Sequence, residues 1–155
     1  MLEGKGAFFR RCHQLYQLLV SPQLTHDYES GFKERYQDPV EVQHHSKIVS
    51  YGLYSDERAA LLQSFPKGSS LLVVGCGAGR ESIDLWKQGF KVTGLDLSSA
   101  MIQAANSLLP ASSRGIRFVC SDLFEFKTDH SFDGVFISAG VLGHIKGGFR
   151  TGYFF

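Results

Sequence analysis

Apolar and polar positions alternate regularly from about residue 70 onward. Residues 71–74 form an unbroken apolar run, which predicts a buried strand, and residues 80–88 predict a helix that Gly89 closes. The next apolar stretch, residues 90–95, predicts a second strand. Strands separated by helices of about ten residues favour parallel pairing through right-handed crossovers. The pattern therefore predicts a doubly wound α/β sheet.

The same alternation continues toward the end of the chain. Ser98 or Ser99 can cap a helix that runs to about Leu109. Residues 116–120 and 132–138 then predict the third and fourth strands. Ligands of such sheets bind beyond the carboxyl ends of the strands. The residues that follow each strand are therefore the first place to look for function.

The beginning of the chain predicts a cap rather than a part of the sheet. Residues 21–39 are polar and weakly periodic, which predicts loop and short helix. A helix is predicted over residues 55–64, because Ser55 can cap its free amides. We therefore expect two parts, an N-terminal helical cap over residues 1–65 and a partial α/β domain over residues 66–155.

Composition and charge narrow the classes of function. With 43% hydrophobic and 20% charged residues the chain resembles soluble globular proteins, and its formal net charge of +1 gives no general attraction to nucleic acid or to an anionic membrane. The three cysteines lie too far apart to indicate a disulfide framework or a metal cluster. No apolar stretch approaches the roughly 18 residues of a membrane span, so a cytoplasmic protein is expected. Residues 5–19 are basic and helix-periodic, which leaves a membrane-surface or targeting helix as the alternative to a packed helix.

Three alternating glycines follow the first predicted strand and open the next helix. Gly75, Gly77 and Gly79 allow a tight turn, close approach of a ligand to the backbone, and free amides that point at that ligand. A loop that is rich in glycine only because its turn is tight is the alternative. The dinucleotide fingerprint G-x-G-x-x-G would need a third glycine where this chain has Arg80.

The G-x-G-x-G loop, with an acidic residue at the end of the next strand, resembles the S-adenosylmethionine-dependent methyltransferases of the Rossmann-like class. The resemblance covers about residues 68–144 and consists of four motifs in the family's order. It implies a Rossmann-like, mostly parallel sheet, S-adenosyl-L-methionine as the cofactor, and methyl transfer to a small-molecule acceptor. Gly75, Cys76, Gly77 and Gly79 would form the loop that holds the cofactor.

The second and third motifs imply contacts to the nucleoside part of the cofactor. Asp96 ends the second strand, where a carboxylate can accept hydrogen bonds from both ribose hydroxyls; an aspartate that only caps the following helix is the alternative. In the family, an aspartate after the third strand binds the adenine amino group, and Asp122 matches that position, unless it belongs to an ordinary polar turn. Leu97 and Leu123 would then sandwich the adenine ring.

The fourth motif and the cap imply further contacts. The stretch FDGVFISAGVLGHI places Ser138 beside the cofactor, while Asp133 is expected to be structural and His144 is only a candidate for the substrate side. In related enzymes an aromatic-rich segment before the first motif closes over the cofactor. Tyr36 is the matching residue here, unless it merely anchors the cap to the core.

Two features depart from the family pattern. Many members have an acidic residue two places before the first glycine, where this chain has Val73, and Glu81 is the candidate to replace it. The family's sheet has seven strands, whereas this chain ends at Phe155, just after the fourth. We expect a truncated or alternative product that self-associates through an exposed sheet edge.

Two other functions stay open at the level of sequence. A nicotinamide-dependent oxidoreductase would also use an acid at the ribose, but Arg80 and the Asp122 motif disfavour it. A fragment that binds a nucleoside cofactor or a partner protein without catalysis is the second. No catalytic residue is named. The adjacent His44 and His45 predict no metal site, because no carboxylate or cysteine cluster accompanies them.

Overall fold

The computed structural model describes residues 33–137, together with positions 31 and 141. Residues Lys33–Ile137 make up one unit that contains the whole described sheet. The basic segment of residues 5–19, together with Ser138 and His144, lies outside the described residues.

Four parallel strands form the sheet. Their bounds are Ser70–Val74 (β1), Lys91–Asp96 (β2), Ile116–Cys120 (β3) and Gly134–Ile137 (β4). The strands lie in the order β3-β2-β1-β4, with Leu72 of β1 paired to Thr93 on one side and to Val135 on the other. The direction of winding thus reverses at β1, which opens a crevice at the carboxyl ends of the strands. The parallel α/β fold and all four predicted strands are confirmed.

Helices connect and flank these strands. Their bounds are Pro39–Ile48 (α1), Ser55–Ser64 (α2), Arg80–Lys87 (α3) and Ser99–Ser107 (α4), with a short 3₁₀ turn at Val49–Tyr51. The helices predicted at α2, α3 and α4 are confirmed, with ends that differ by up to two residues. Ser98 caps α4, since its hydroxyl oxygen accepts a hydrogen bond from the amide of Met101 at 3.1 Å.

The cap predicted for α2 is wrong. Ser55 is the first helical residue, and Tyr54 holds the capping position. The free amide of Tyr54 donates to the carboxylate of Glu57 at 2.9 Å, as in one half of a capping box. Glu57 therefore accepts from a free amide at the start of the helix, and the hydroxyl of Ser55 is not needed for that role.

Helix α1 was missed by sequence reasoning. It has no buried residue, so the apolar periodicity that reveals most helices is absent. Its start signal is nevertheless in the sequence: the carboxylate of Asp38 accepts from the amide of Val40 at 2.7 Å, and Pro39 follows as the first helical residue.

The core lies between the central strands and α3. Leu71, Val73, Leu85 and Val92 are all at most 3% exposed. Each such side chain stabilises the fold by about 1.5–3 kcal/mol through burial. Because these residues come from β1, β2 and α3, the core fixes the carboxyl ends of the two central strands and the loop between β1 and α3.

Strand β4 forms one edge of the described sheet. It pairs with β1 on its inner side, and Val135 at its middle is 47% exposed. Self-association through this edge stays a prediction.

Candidate cofactor site

The glycine loop joins β1 to α3 in a conformation that other residues rarely adopt. Gly75, Gly77 and Gly79 have φ angles of 67°, 51° and 96°, all in the left-handed region. The amides of Gly75 and Cys76 both donate to the carbonyl of Leu95, at 2.8 and 3.0 Å. The loop is therefore fastened to the carboxyl end of β2, the strand that carries the candidate ribose acid.

Gly79 is needed for space as well as for conformation. A Cβ at this position would lie 2.9 Å from Cζ of Phe118 and 3.2 Å from Cδ1 of Ile83. The absence of a side chain thus allows α3 to begin close against β3. This third glycine has a packing role of the kind that G-x-G-x-x-G loops assign to their last glycine.

Asp96 connects the glycine loop to the beginning of α4. One carboxylate oxygen accepts from the amide of Gly77 at 2.8 Å, and the other accepts from the amide of Ser98 at 2.9 Å. Burial raises the pKa of this carboxyl, while the amides of Ser98 and Gly77 oppose the rise. A carboxylate offers about four lone-pair sites. Each oxygen therefore keeps capacity to accept a ligand hydroxyl.

Asp122 lies beyond the neighbouring strand, next to the same crevice. The amide of Ser121 donates to the carbonyl of Asp96 at 3.0 Å, which holds the end of β3 beside the end of β2. One oxygen of Asp122 accepts from the amide of Phe124 at 2.6 Å, so this aspartate also shapes its own turn. Leu97 is 42% exposed after β2, and Leu123 is half-buried after β3.

Cys76 can present only its backbone to a ligand. Its side chain is 2% exposed, and its sulfur lies 2.9 Å from the position that a Cβ on Gly94 would occupy. Burial raises the pKa of the thiol well above its usual value, so the sulfur stays neutral.

Glu81 is the residue expected to replace the missing acid at Val73. It is 7% exposed, and its carboxylate accepts from the guanidinium of Arg80 at 2.6 Å. Burial raises its pKa, and the charge of Arg80 opposes the rise. Its described partner is therefore Arg80, whereas Val73 lies 1% exposed within β1.

Arg80 connects the end of the glycine loop to residues 52–54 and to the first turn of α2. Its guanidinium donates to the carbonyl of Gly52 at 2.6 Å and to the carboxylate of Glu57 at 3.3 Å. It also lies over the ring of Tyr54, 4.2 Å from the ring centre. Sequence reasoning identified Arg80 only as a departure from a fingerprint. These partners come from a distant part of the chain, so no local pattern reveals them.

Replacing Arg80 is expected to destabilise the fold strongly. Arg80→Ala would leave Glu81 buried without its cation, which costs about 3 kcal/mol of unfolding free energy. The side chains of this pair are only 12% and 10% exposed. The matched control is Arg35→Ala, since Arg35 pairs with Glu41 at 3.1 Å but is 59% exposed. We expect the control to cost less than about 1 kcal/mol. Urea denaturation of both variants measures the difference, and equal losses would contradict a buried role for Arg80.

Tyr36 and α1 lie at the same end of the sheet as the glycine loop. The hydroxyl of Ser98 donates to the backbone carbonyl of Tyr36 at 2.6 Å. The ring of Tyr36 meets the imidazole of His45 edge-on, with 5.7 Å between ring centres. The structure therefore brings Tyr36, Asp96 and the glycine loop to the same end of the sheet.

Asp133 lies at the opposite end of the sheet, where it was expected to be structural. Its carboxylate accepts from the amide of Ser70 at 2.8 Å, and its own amide donates to the carbonyl of that serine at 2.7 Å. These two bonds hold the amino ends of β1 and β4 together.

The described residues offer neither a metal-binding cluster nor a membrane-spanning helix. Within residues 33–137, no group of three or more histidine, cysteine or acidic side chains is arranged to hold a metal ion. No helix in the described part of the chain has the length and apolar character needed to cross a membrane.

Comparison with known proteins places this arrangement in a family. A family model described as a methyltransferase domain matches residues 71–151. The YqeM protein of Bacillus subtilis, named as a methyltransferase, is 33% identical over 66% of this chain and 41% of its own length. A ubiquinone biosynthesis O-methyltransferase of Coxiella burnetii is 32% identical over 51% of this chain and 34% of its own length. The chain thus spans less than half the length of these curated relatives.

A solved structure agrees with the sequence relatives. The TehB-like SAM-dependent methyltransferase of Corynebacterium glutamicum superposes with a TM-score of 0.57 at 26% identity, over 72% of this chain and 61% of that chain. The family model alone covers more than half of the 155 residues. The glycine loop and Asp96 lie inside the matched region, at the end of the sheet where ligands of such folds bind. This chain belongs to the S-adenosylmethionine-dependent methyltransferases of the Rossmann-like class.

Proposed function

We propose that the crevice between the glycine loop and Asp96 binds S-adenosylmethionine for methyl transfer to a small-molecule acceptor. The observation that carries the proposal is the carboxylate of Asp96, whose two oxygens accept from the amides of Gly77 and Ser98. That arrangement orients the carboxylate and leaves acceptor capacity for the two hydroxyls of a ribose.

The other nucleoside contacts follow from the positions around Asp96. Asp122 would accept from the adenine amino group, and the side chains of Leu97 and Leu123 would cover the two faces of the ring. The backbone of the glycine loop, including Cys76, would face the rest of the cofactor. Tyr36 would cover it from the cap, and Ser138 belongs to the proposal through its sequence motif alone.

The main contribution of the protein to methyl transfer would be to align the acceptor with the methyl group. S-adenosylmethionine held at this site would supply an activated methyl group to a lone pair of the acceptor, and it would leave as S-adenosylhomocysteine with the electron pair of the carbon–sulfur bond on its sulfur. Holding the acceptor in line with that bond supplies the main rate advantage. A base is required only for an acceptor that arrives protonated, and we assign none.

A small-molecule acceptor is supported by charge and by one relative. The formal net charge of +1 offers no general attraction to a nucleic acid acceptor. The Coxiella burnetii relative carries a name from ubiquinone biosynthesis. The small-molecule class of the acceptor, a cytoplasmic location, and the division into residues 1–65 and 66–155 stay predictions.

Two other functions remain as alternatives to methyl transfer. Nicotinamide cofactors are disfavoured because Arg80 stands where the fingerprint needs its third glycine and is held there by Gly52 and Glu57. A form that binds the cofactor without turnover is the second alternative.

Calorimetric titration with S-adenosylhomocysteine, repeated with NAD as competitor, tests the proposal. We expect a micromolar dissociation constant, equivalent to about −8 kcal/mol, that NAD does not change. Displacement by NAD would support the oxidoreductase instead. No binding by a folded chain would contradict the proposed site. Binding without methylation of any acceptor in a small-molecule pool would favour the non-catalytic form.

A further inference from the structure

Helix α1 is held in a fixed position over the candidate site. The side-chain amide nitrogen of Gln37 donates to the hydroxyl of Ser99 at 3.2 Å, and its oxygen accepts from the amide of Ala100 at 3.1 Å. The bond from Ser98 to the carbonyl of Tyr36 lies beside these two. Tyr36 and Gln37, just before α1, are thus bonded to the beginning of α4. These bonds fix the position at which α1 begins.

That position brings His45 against the glycine loop. Its Nδ1 lies 3.7 Å from the position that a Cβ on Gly77 would occupy, and no other heavy atom outside the chain neighbours comes within 4 Å of that position. The same Gly77 donates its amide to Asp96. The imidazole is 32% exposed and packs against the ring of Tyr36, so part of it is open to a ligand. A ligand held by Asp96 and Gly77 would therefore meet a ring nitrogen of His45.

We infer that His45 is a cofactor-binding residue whose Nδ1 forms a hydrogen bond with a ribose hydroxyl of the nucleoside that Asp96 holds. The inference rests on the proposed function, because it needs a nucleoside in this crevice. It adds a contact from the cap, on an element that the sequence motifs do not include.

The charges around His45 favour a neutral hydroxyl over an anionic group of the ligand. The carboxylate of Glu41 lies 4.0 Å from Nε2, and Asp96 faces the ring from β2. Arg35 is the cation of this cluster, and its guanidinium is bonded to Glu41 at 3.1 and 3.2 Å. His44 and Tyr36 contribute aromatic rings. A ligand carboxylate at this point would meet two carboxylates, whereas a hydroxyl pairs with either of them and with the imidazole.

The protonation of His45 agrees with this assignment. Burial lowers its pKa, and the charge of Glu41 opposes that effect. The ring is therefore mostly neutral above pH 6.5. A neutral imidazole has one donor and one acceptor nitrogen, either of which can serve a hydroxyl.

The test measures binding of S-adenosylhomocysteine and of its 2′-deoxy and 3′-deoxy forms to matched variants. His45→Ala is expected to weaken S-adenosylhomocysteine about five- to tenfold, the loss of one neutral hydrogen bond. His45→Asn should restore most of the affinity, because its amide reaches the place of Nδ1. Gln43→Ala, at an exposed position of the same helix, is the control and should bind like the wild type.

The deoxy ligands separate a direct contact from a structural effect. Both deoxy forms should bind the wild type more weakly, because each lacks one hydroxyl that Asp96 would hold. If His45 bonds a hydroxyl, His45→Ala costs nothing further on the one deoxy form that lacks that hydroxyl. An equal penalty on all three ligands, or no penalty at all, would overturn the inference and leave the proposed function standing. Failure of the wild type to bind S-adenosylhomocysteine would overturn both. Thermal melting of each variant shows that the chain is folded.

Discussion

Gly94→Val is expected to lower the free energy of unfolding by about 3 kcal/mol, because no room exists for a side chain at the middle of β2. A Cβ at Gly94 would lie 2.6 Å from Cδ1 of Phe118 and 2.9 Å from the sulfur of Cys76. Phe118 belongs to β3, and Cys76 belongs to the glycine loop. A larger residue would therefore push the neighbouring strand and the loop away from β2, and with them the candidate site.

Gly68→Ala is the matched control for this substitution. Gly68 has a φ of 88°, but nothing lies within 4 Å of its Cβ position. The control therefore meets backbone strain alone, which costs about 1 kcal/mol. Guanidinium denaturation followed by circular dichroism compares the two. Unfolding free energies that fall equally, or a stable Gly94→Val protein, would contradict the close packing between β2, β3 and the loop.

Asp96→Ala is expected to weaken S-adenosylhomocysteine at least about 100-fold. Two ribose hydroxyls would lose a charged acceptor, and hydrogen bonds to charged groups contribute about 1.5–3 kcal/mol each. Asp133→Ala is the control, since Asp133 also accepts a backbone amide, that of Ser70, at the opposite end of the sheet. Both variants lose a structural acceptor, but only the first should lose the ligand. Calorimetry would contradict the site if both variants bound as tightly as the wild type.

The same carboxylate sets the expected pH dependence of binding. The ligand needs the ionised form, and burial raises the pKa of Asp96 above 3.8. Affinity should thus be complete at neutral pH and fall as the pH drops through that raised value. In Asp96→Asn the acid side of the profile should be flatter and the affinity lower throughout. A wild-type affinity that rose on acidification would contradict the assignment.

Sequence patterns predicted the strands well because burial drives them. The run at residues 71–74 is apolar on both faces, as a central parallel strand must be, and the register beside β2 follows from that burial. The glycines and aspartates at the strand ends could be predicted for a different reason, because their spacing from each strand is local in the sequence. Asp96 and Gly77 are brought together by a single βαβ unit, formed by β1, α3 and β2.

The features that the sequence did not reveal depend on contacts between distant segments. Helix α1 buries no residue, so its pattern is weak, and its place is set by Gln37 and Ser98, which are far apart in the chain. The partners of Arg80, Gly52 before α2 and Glu57 within it, are likewise distant from Arg80 in the chain. His45 was considered only with His44 as a metal ligand, because its approach to Gly77 exists only after α1 has packed.

The most direct test of the proposed cofactor site is an amide NMR titration of the nitrogen-labelled chain with S-adenosylhomocysteine. We expect the largest shift changes on the amides of Gly77, Leu97 and Ser98. The described unit also has a cavity of about 590 Å³ at the amino ends of the strands, lined by Lys91 and Arg117 among others. Changes confined to that cavity, or no changes at all, would contradict a cofactor site at the glycine loop.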